Sequence, residues 1–263
     1  MSTATREDTA EGRFYAVDGA KYPSVTTILG AVSKPALVNW AANQERALVL
    51  AAAADLNDEM LDTEARLPRA VYLSSLDAKC GAQRAHAKVL EKAGDIGTQA
   101  HALVEWWCRQ QLAATADPAP TVCDEALQAF RSFEAWAASV DLEPMLVEER
   151  IVSHQYRYAG TADLLALVRG VPTLVDFKTG KSIYAEAHLQ NVAYQVAVEE
   201  MGLAIPDAGL IVRLPKAASD PDFEVAEVPP VDQLLPVFLA VRQLWEWQSA
   251  QQRAYWAKRK KAS

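Results

Sequence analysis

From Ser24 to about Val140, apolar residues recur at helical spacing through Ala-, Leu- and Glu-rich sequence, with Ser24, Thr26 and Asp124 as candidate N-caps. Lys34-Pro35 interrupts the first helix, Asp55 to Pro68 is charged and irregular, and Asp117-Pro118-Ala119-Pro120 has the composition of a loop. The pattern changes between Met145 and Lys178. Three short runs rich in Val, Ile, Leu and Tyr (MLVEERIVS, YAGTADLLALV and TLVDFK) are separated by HQYR and RGVP, which predicts a β-meander. Helical spacing returns over Ile183 to Met201, GLIVRLPK and FEVAEV predict another strand pair, and Val231 to Lys258 predicts a closing helix containing Trp245 and Trp247.

The segments LLALV and TLVDF are apolar at successive positions, as in strands covered on both faces. The expected fold is therefore α/β: a mixed central sheet flanked by helices and wrapped by a helical N-terminal half. One domain over 1–263 is expected, with a helical part over about 20–140, a core over about 145–230 and a closing helix over about 231–260.

At 51% hydrophobic residues, 263 positions are enough for a substantial core. The N-terminal MSTATREDTAEGR lacks the apolar segment of a secretory signal, and the longest apolar run is only Ala47 to Ala54, so a soluble, cytoplasmic protein is expected. Cys80, Cys108 and Cys123 are odd in number and far apart, which predicts reduced thiols rather than disulfides or a zinc site. A net charge of −8 opposes coating of nucleic acid by overall charge, so any contact must use local basic patches. Candidates are Arg66 with Arg69, Arg213 with Lys216, and Lys258-Arg259-Lys260-Lys261, although such runs are more often plain solvated surface.

The meander brings chemistry together. A turn centred on Arg169-Gly170 sets Asp163 opposite Asp176, and a turn centred on Gln155-Tyr156 sets Glu148 opposite the same Asp163, with cross-strand Cβ atoms about 5 Å apart. Lys178, two residues beyond Asp176, points to the carboxylate side. Carboxylates this close repel unless a cation sits among them, and hard oxygen ligands favour Mg²⁺ or Mn²⁺. Taken alone, Asp176-Phe177-Lys178 is a weak signal, because an Asp near a strand end commonly caps a turn.

Its company is more telling. Gly97-Thr98-Gln99-Ala100-His101, Gly160-Thr161-Ala162-Asp163, Asp176-Phe177-Lys178, and Gln190 with Tyr194 follow in order, and Tyr22 to Leu29 reads YPSVTTIL. This set resembles the RecB-like exonucleases, of phage and mitochondrial type, in the PD-(D/E)XK nuclease superfamily. The resemblance implies a restriction-endonuclease-like core and a Mg²⁺- or Mn²⁺-dependent DNA exonuclease serving phage-type recombination or DNA processing, with a single-strand annealing protein as partner. It makes Asp163, Asp176 and the Phe177 carbonyl metal ligands, brings His101 to the metal and adds Glu148 less securely, since Glu149 is adjacent. It assigns catalysis to Asp163, Asp176, Lys178, Gln190 and Tyr194, with Gln190 and Tyr194 facing DNA; Arg213 and Lys216, from the basic candidates above, are added as further contacts. Thr98 is read as an N-cap that fixes His101 on a first helical turn. Members with an iron–sulfur cluster carry four cysteines, and with three no cluster is expected. An endonuclease of the same fold and a catalytically silent DNA-end-binding module are the competing readings.

Overall fold

The computed structural model describes residues 4–9, 11–32, 34–62, 67–82, 84–113, 117–217, 219–220 and 222–262, without the side chains of 62 and 260–262. Arg66 and the side chains of Lys260 and Lys261, named above as basic candidates, lie outside the described set. The chain divides into two compact units, one made of Met1–Val32 with Gly97–Ser263 and the other of Ser33–Ile96. The boundary falls within a helix, α4 (Ala85–Ala113).

The smaller unit holds α2 (Pro35–Asp62), α3 (Arg69–Cys80) and the start of α4. Leu56 and Ala52 are buried on α2, Lys79 pairs with Glu59 at 2.8 Å, and His86 Nδ1 lies 2.7 Å from Glu45. The charged stretch after Asp55 thus continues as helix up to Asp62.

The larger unit opens with an antiparallel sheet of β1 (Thr5–Thr9), β2 (Gly12–Val17) and β3 (Ala20–Pro23), an element the helical reading from about residue 20 does not contain. The turn at Asp18-Gly19 has φ of 48° and 77°, so an Asp-Gly hairpin signal was present. It was masked because β1, TREDT, is exposed at every position and lacks alternation. Ser24 caps α1 (Val25–Leu29), accepting from the Thr27 amide at 3.0 Å. Pro35 then begins the next helix, as the Lys34-Pro35 break predicts.

After α5 (Asp124–Ser139), whose N-cap is Cys123 rather than Asp124, come β4 (Leu142–Ser153), β5 (Tyr158–Val168) and β6 (Val171–Lys178). Then follow α6 (Ala185–Glu200), β7 (Ala208–Arg213), β8 (Glu224–Glu227) and α7 (Val231–Ala262). The five strands form one mixed sheet in the order β4-β5-β6-β7-β8, parallel between β6 and β7 and antiparallel elsewhere. The meander registers match the predicted ones around the site, while an irregularity between Pro144 and Leu146 shifts the start of β4 by one. Val168 pairs with Val171 around Arg169-Gly170, and Ser153 pairs with Tyr158 around Gln155-Tyr156. Arg169 and Gly170, with φ of 52° and 78°, form the tight turn that sets the first of these.

Helices cover both faces of the sheet. Alternation sends Asp176 and Lys178 to one side of β6 and Phe177 to the other. Gln190 of α6 meets the former pair, while Phe133 and Trp136 of α5 pack edge-on against Phe177, with ring centroids at 5.5 and 5.7 Å. On the α6 face, Val25, Ile28, Leu165, Leu174, Tyr194 and Phe238 form one buried cluster. Among the described residues, no helix is long and apolar enough to cross a membrane, and Cys80, Cys108 and Cys123 are free thiols.

Gly160 allows the closest approach in this cluster. A Cβ there would stand 2.4 Å from the Tyr194 ring, which is itself 4% exposed and has no room to retreat. Gly160→Ala is expected to lower stability by about 1–3 kcal/mol, read as a fall in the urea midpoint, and an unchanged midpoint would show that the ring can yield.

Candidate active site

The β5–β6 ladder ends at Leu164↔Val175. One step further, where Asp163 would pair with Asp176, the strands part. Asp176 pairs with Ile211 of β7, and Ala162 pairs with Glu149 of β4. The Asp163 carboxylate occupies the fork, its Oδ2 accepting from the Phe177 amide at 2.8 Å in place of the lost ladder bond. Glu148 lies across from Asp163 on β4 and is itself missing from the ladder between Val147↔Leu164 and Glu149↔Ala162. Its φ of 49° is a left-handed conformation that costs a non-glycine residue about 1–3 kcal/mol, and here it falls inside a strand rather than at a turn like Asp18 and Arg169.

α4 delivers His101 to this point. Its Nδ1 stands 3.7 Å from Glu148 Oε1 and 3.7 Å from Asp163 Oδ1. One ligand atom from each of His101, Glu148 and Asp163 falls within 4.8 Å of the others. The imidazole is steadied edge-on by Phe177, with centroids 6.4 Å apart. Thr98 is not an N-cap, because α4 runs unbroken from Ala85 and carries Gly94 and Gly97 inside it. Gly97 serves packing instead, since a Cβ there would lie 3.1 Å from Thr179 Oγ1, just beyond Lys178.

Asp176 stands beside this group and is not one of the three converging ligands. It is 1% exposed, its Oδ1 accepts from Gln190 Nε2 at 3.0 Å, and its Oδ2 lies 2.6 Å from Lys178 Nζ. Lys178 also donates to Gln190 Oε1 at 3.2 Å. Oδ2 is thus buried and ion-paired with the ammonium, and as a carboxylate oxygen it has a further lone pair for another electrophile.

A family model of the PD-(D/E)XK nuclease superfamily matches residues 68–261. The chain belongs to that superfamily. No curated protein matches it. Membership makes phosphodiester hydrolysis and a nucleic-acid substrate the expected chemistry of this fork. The donor set of this PD-(D/E)XK site fits a hard divalent cation: carboxylates from Glu148 and Asp163, one imidazole, and the buried Asp176 carboxylate nearby.

Other expected residues are placed differently. Tyr194, expected to stack on a base, is buried over Gly160 and offers no ring face to a ligand. Desolvation, with the Asp176 and Asp163 charges, pushes its pKa well up, and Gln190 opposes this. Arg213 is 4% exposed and donates from Nε to Glu224 at 2.9 Å, so it is held at the sheet edge rather than offered to a phosphate. Lys216 is half-buried, and desolvation lowers its pKa. A residue that sequence reasoning missed is Tyr15 of β2, whose hydroxyl lies 2.9 Å from Thr161 Oγ1, two positions before Asp163. No short-range pattern joins positions so far apart in the chain.

Charge accounts for the titration behaviour. Burial opposes a charged His101, but Asp163 and Glu148 outweigh it and raise its pKa from 6.5 to about 9. Burial raises Asp176 from 3.8 to about 6, despite Lys178. In chelator, the raised His101 pKa contributes stability that is complete below about pH 6.5 and is lost as pH rises through about 9. The raised Asp176 pKa imposes a penalty that grows from about pH 4 to about pH 6. The chelated protein is therefore expected to weaken steadily from acid to alkaline pH in urea titrations. His101→Gln should flatten the limb above pH 6.5, and a limb that stays steep in this variant would assign it to another group.

Proposed function

We propose that the chain is a metal-dependent DNA exonuclease of the RecB-like type, hydrolysing phosphodiester bonds from DNA ends in recombination or DNA processing. The observation that carries this reading is the convergence of His101, Glu148 and Asp163 within 4.8 Å, beside the Asp176–Lys178 pair, in a PD-(D/E)XK chain. His101, Glu148 and Asp163 would hold a Mg²⁺ or Mn²⁺ ion, with Asp176 Oδ2 and the Phe177 carbonyl as further ligands. When bound, the ion supplies neutralisation of charge developing on the phosphoryl oxygens and acidifies water.

The chain's own residues orient the reaction. Burial opposes the Lys178 ammonium, yet Asp176 and Asp163 outweigh this and raise its pKa, so Lys178 stays charged and acts as a fixed donor toward the phosphate or the attacking water. Gln190 bridges Asp176 and Lys178, holding the two in one geometry. The ordered set of Gly97 to His101, Asp163, Asp176 with Lys178, and Gln190 with Tyr194 is what supports the RecB-like assignment over other branches.

The test is hydrolysis of linear and covalently closed duplex DNA in Mg²⁺ and in EDTA. Linear DNA alone should be degraded, only with metal, and Asp163→Ala, Asp176→Ala and Lys178→Ala should each lower the rate by about 10²-fold or more. Cleavage of closed circles would replace the exonuclease with an endonuclease. A folded protein inert on both substrates would be a silent DNA-end-binding module.

A further inference from the structure

α7 changes character halfway along one face. Its first half buries Phe238 in the core, with Leu235, Leu239 and Trp245 partly buried against the same cluster. Continuing at helical spacing, Trp245, Gln248, Ser249, Gln252, Arg253 and Trp256 line an open groove of about 1260 Å³ instead. The opposite wall is the β1–β2 hairpin with α1, contributing Arg13, Phe14 and Thr27. A face that packed against protein would stay apolar, whereas this one presents amides, a guanidinium and indoles to solvent. Trp256 is 53% exposed, and the Arg259 guanidinium sits 5.7 Å above its ring.

The charge is equally uneven. Between Ser249 and Ser263 the sequence carries Arg253, Lys258, Arg259, Lys260 and Lys261 and no acid, in a chain of net charge −8. On the facing wall, Asp8 lies 2.8 Å from Arg6 and 3.1 Å from Arg13, which leaves Glu11, on the hairpin turn, as the opposing acid. Local cation excess beside exposed aromatic faces is the combination that tracks a phosphate backbone while stacking unpaired bases.

We infer that this groove binds single-stranded nucleic acid, as a strand-holding site separate from the metal centre. Trp256 stacks a base, Arg253 meets a phosphate, and Gln248 and Gln252 supply sequence-tolerant hydrogen bonds. The groove is tied to the catalytic strand through β2, because Phe14 faces the groove and the next residue, Tyr15, touches Thr161 on β5. The choice of DNA as the strand rests on the deoxyribonuclease reading, but binding at the groove does not require hydrolysis.

The experiment is fluorescence anisotropy of labelled oligothymidylate with the full chain in EDTA, where hydrolysis is blocked and the groove variants isolate its share of binding. Trp256→Ala is expected to weaken binding about tenfold and Trp256→Phe to retain it. Arg253→Ala should lower the slope of log affinity against log salt by about 0.7, from one phosphate. Unchanged affinity in these variants, with native circular dichroism, would overturn the proposal. So would tighter binding of a duplex of equal length, or a concentration-dependent dimer that Trp256→Ala abolishes, which would assign the face to a second copy. Failure of the nuclease reading would show separately, as absence of hydrolysis in Mg²⁺ by a chain that still binds the oligonucleotide.

Discussion

Everything at the site depends on where the ladder between β5 and β6 stops. Two antiparallel strands would normally stay paired to their ends, yet here the β5–β6 ladder stops at Leu164↔Val175 while β5 stays paired with β4 and β6 with β7 beyond it. The Phe177 amide left over at the fork would be an unsatisfied buried donor, and the Asp163 carboxylate accepts from it. A single hydrogen bond therefore does two things. It closes the backbone's accounts where the sheet opens, and it holds the central acid in position between Glu148 and the Asp176–Lys178 pair.

The surrounding structure is arranged to support that opening. Phe177 is gripped from the α5 side by Phe133 and Trp136, so the backbone on which Asp176 and Lys178 sit has little freedom to shift. Gly97 lets α4 run close to Thr179 and so brings His101 to the carboxylates. On the other face, Gly160 admits the Tyr194 ring. Each glycine marks a place where a side chain or backbone must approach more closely than a Cβ permits, and both fall in motifs that also carry chemistry.

Much of this was legible in the sequence because local rules and tertiary context agreed. The Arg169-Gly170 turn sets the register that brings Asp163 and Asp176 level, and the turn at Gln155-Tyr156 does so for Glu148. What could not be read was the fork itself: periodicity extends a ladder indefinitely and gives no sign of where two strands diverge. Extrapolation therefore put the three carboxylates in one row, whereas Asp176 turns to Lys178 and Gln190 and leaves His101 to complete the group. Thr98 was misread because a glycine-flanked Thr before a helical run is a cap signal, and the helix's continuation through Gly94 and Gly97 is decided by packing. Tyr194 and Arg213 were read as accessible because residue type speaks of chemistry and not of depth.

The break in the ladder at Glu148 has an evolutionary side. Pairing is in register at Val147 and again at Glu149, so the sheet is complete on both sides of the strained position and does not lean on the Glu148 side chain. Relaxing its φ of 49° and thinning out a cluster of like charges would each tend to stabilise the chain. Selection for folding alone thus bears hardest on the strained Glu148 position, whereas Asp163 is held by its bond to the Phe177 amide. A lineage freed from such chemistry would lose Glu148 before Asp163 while keeping the same architecture.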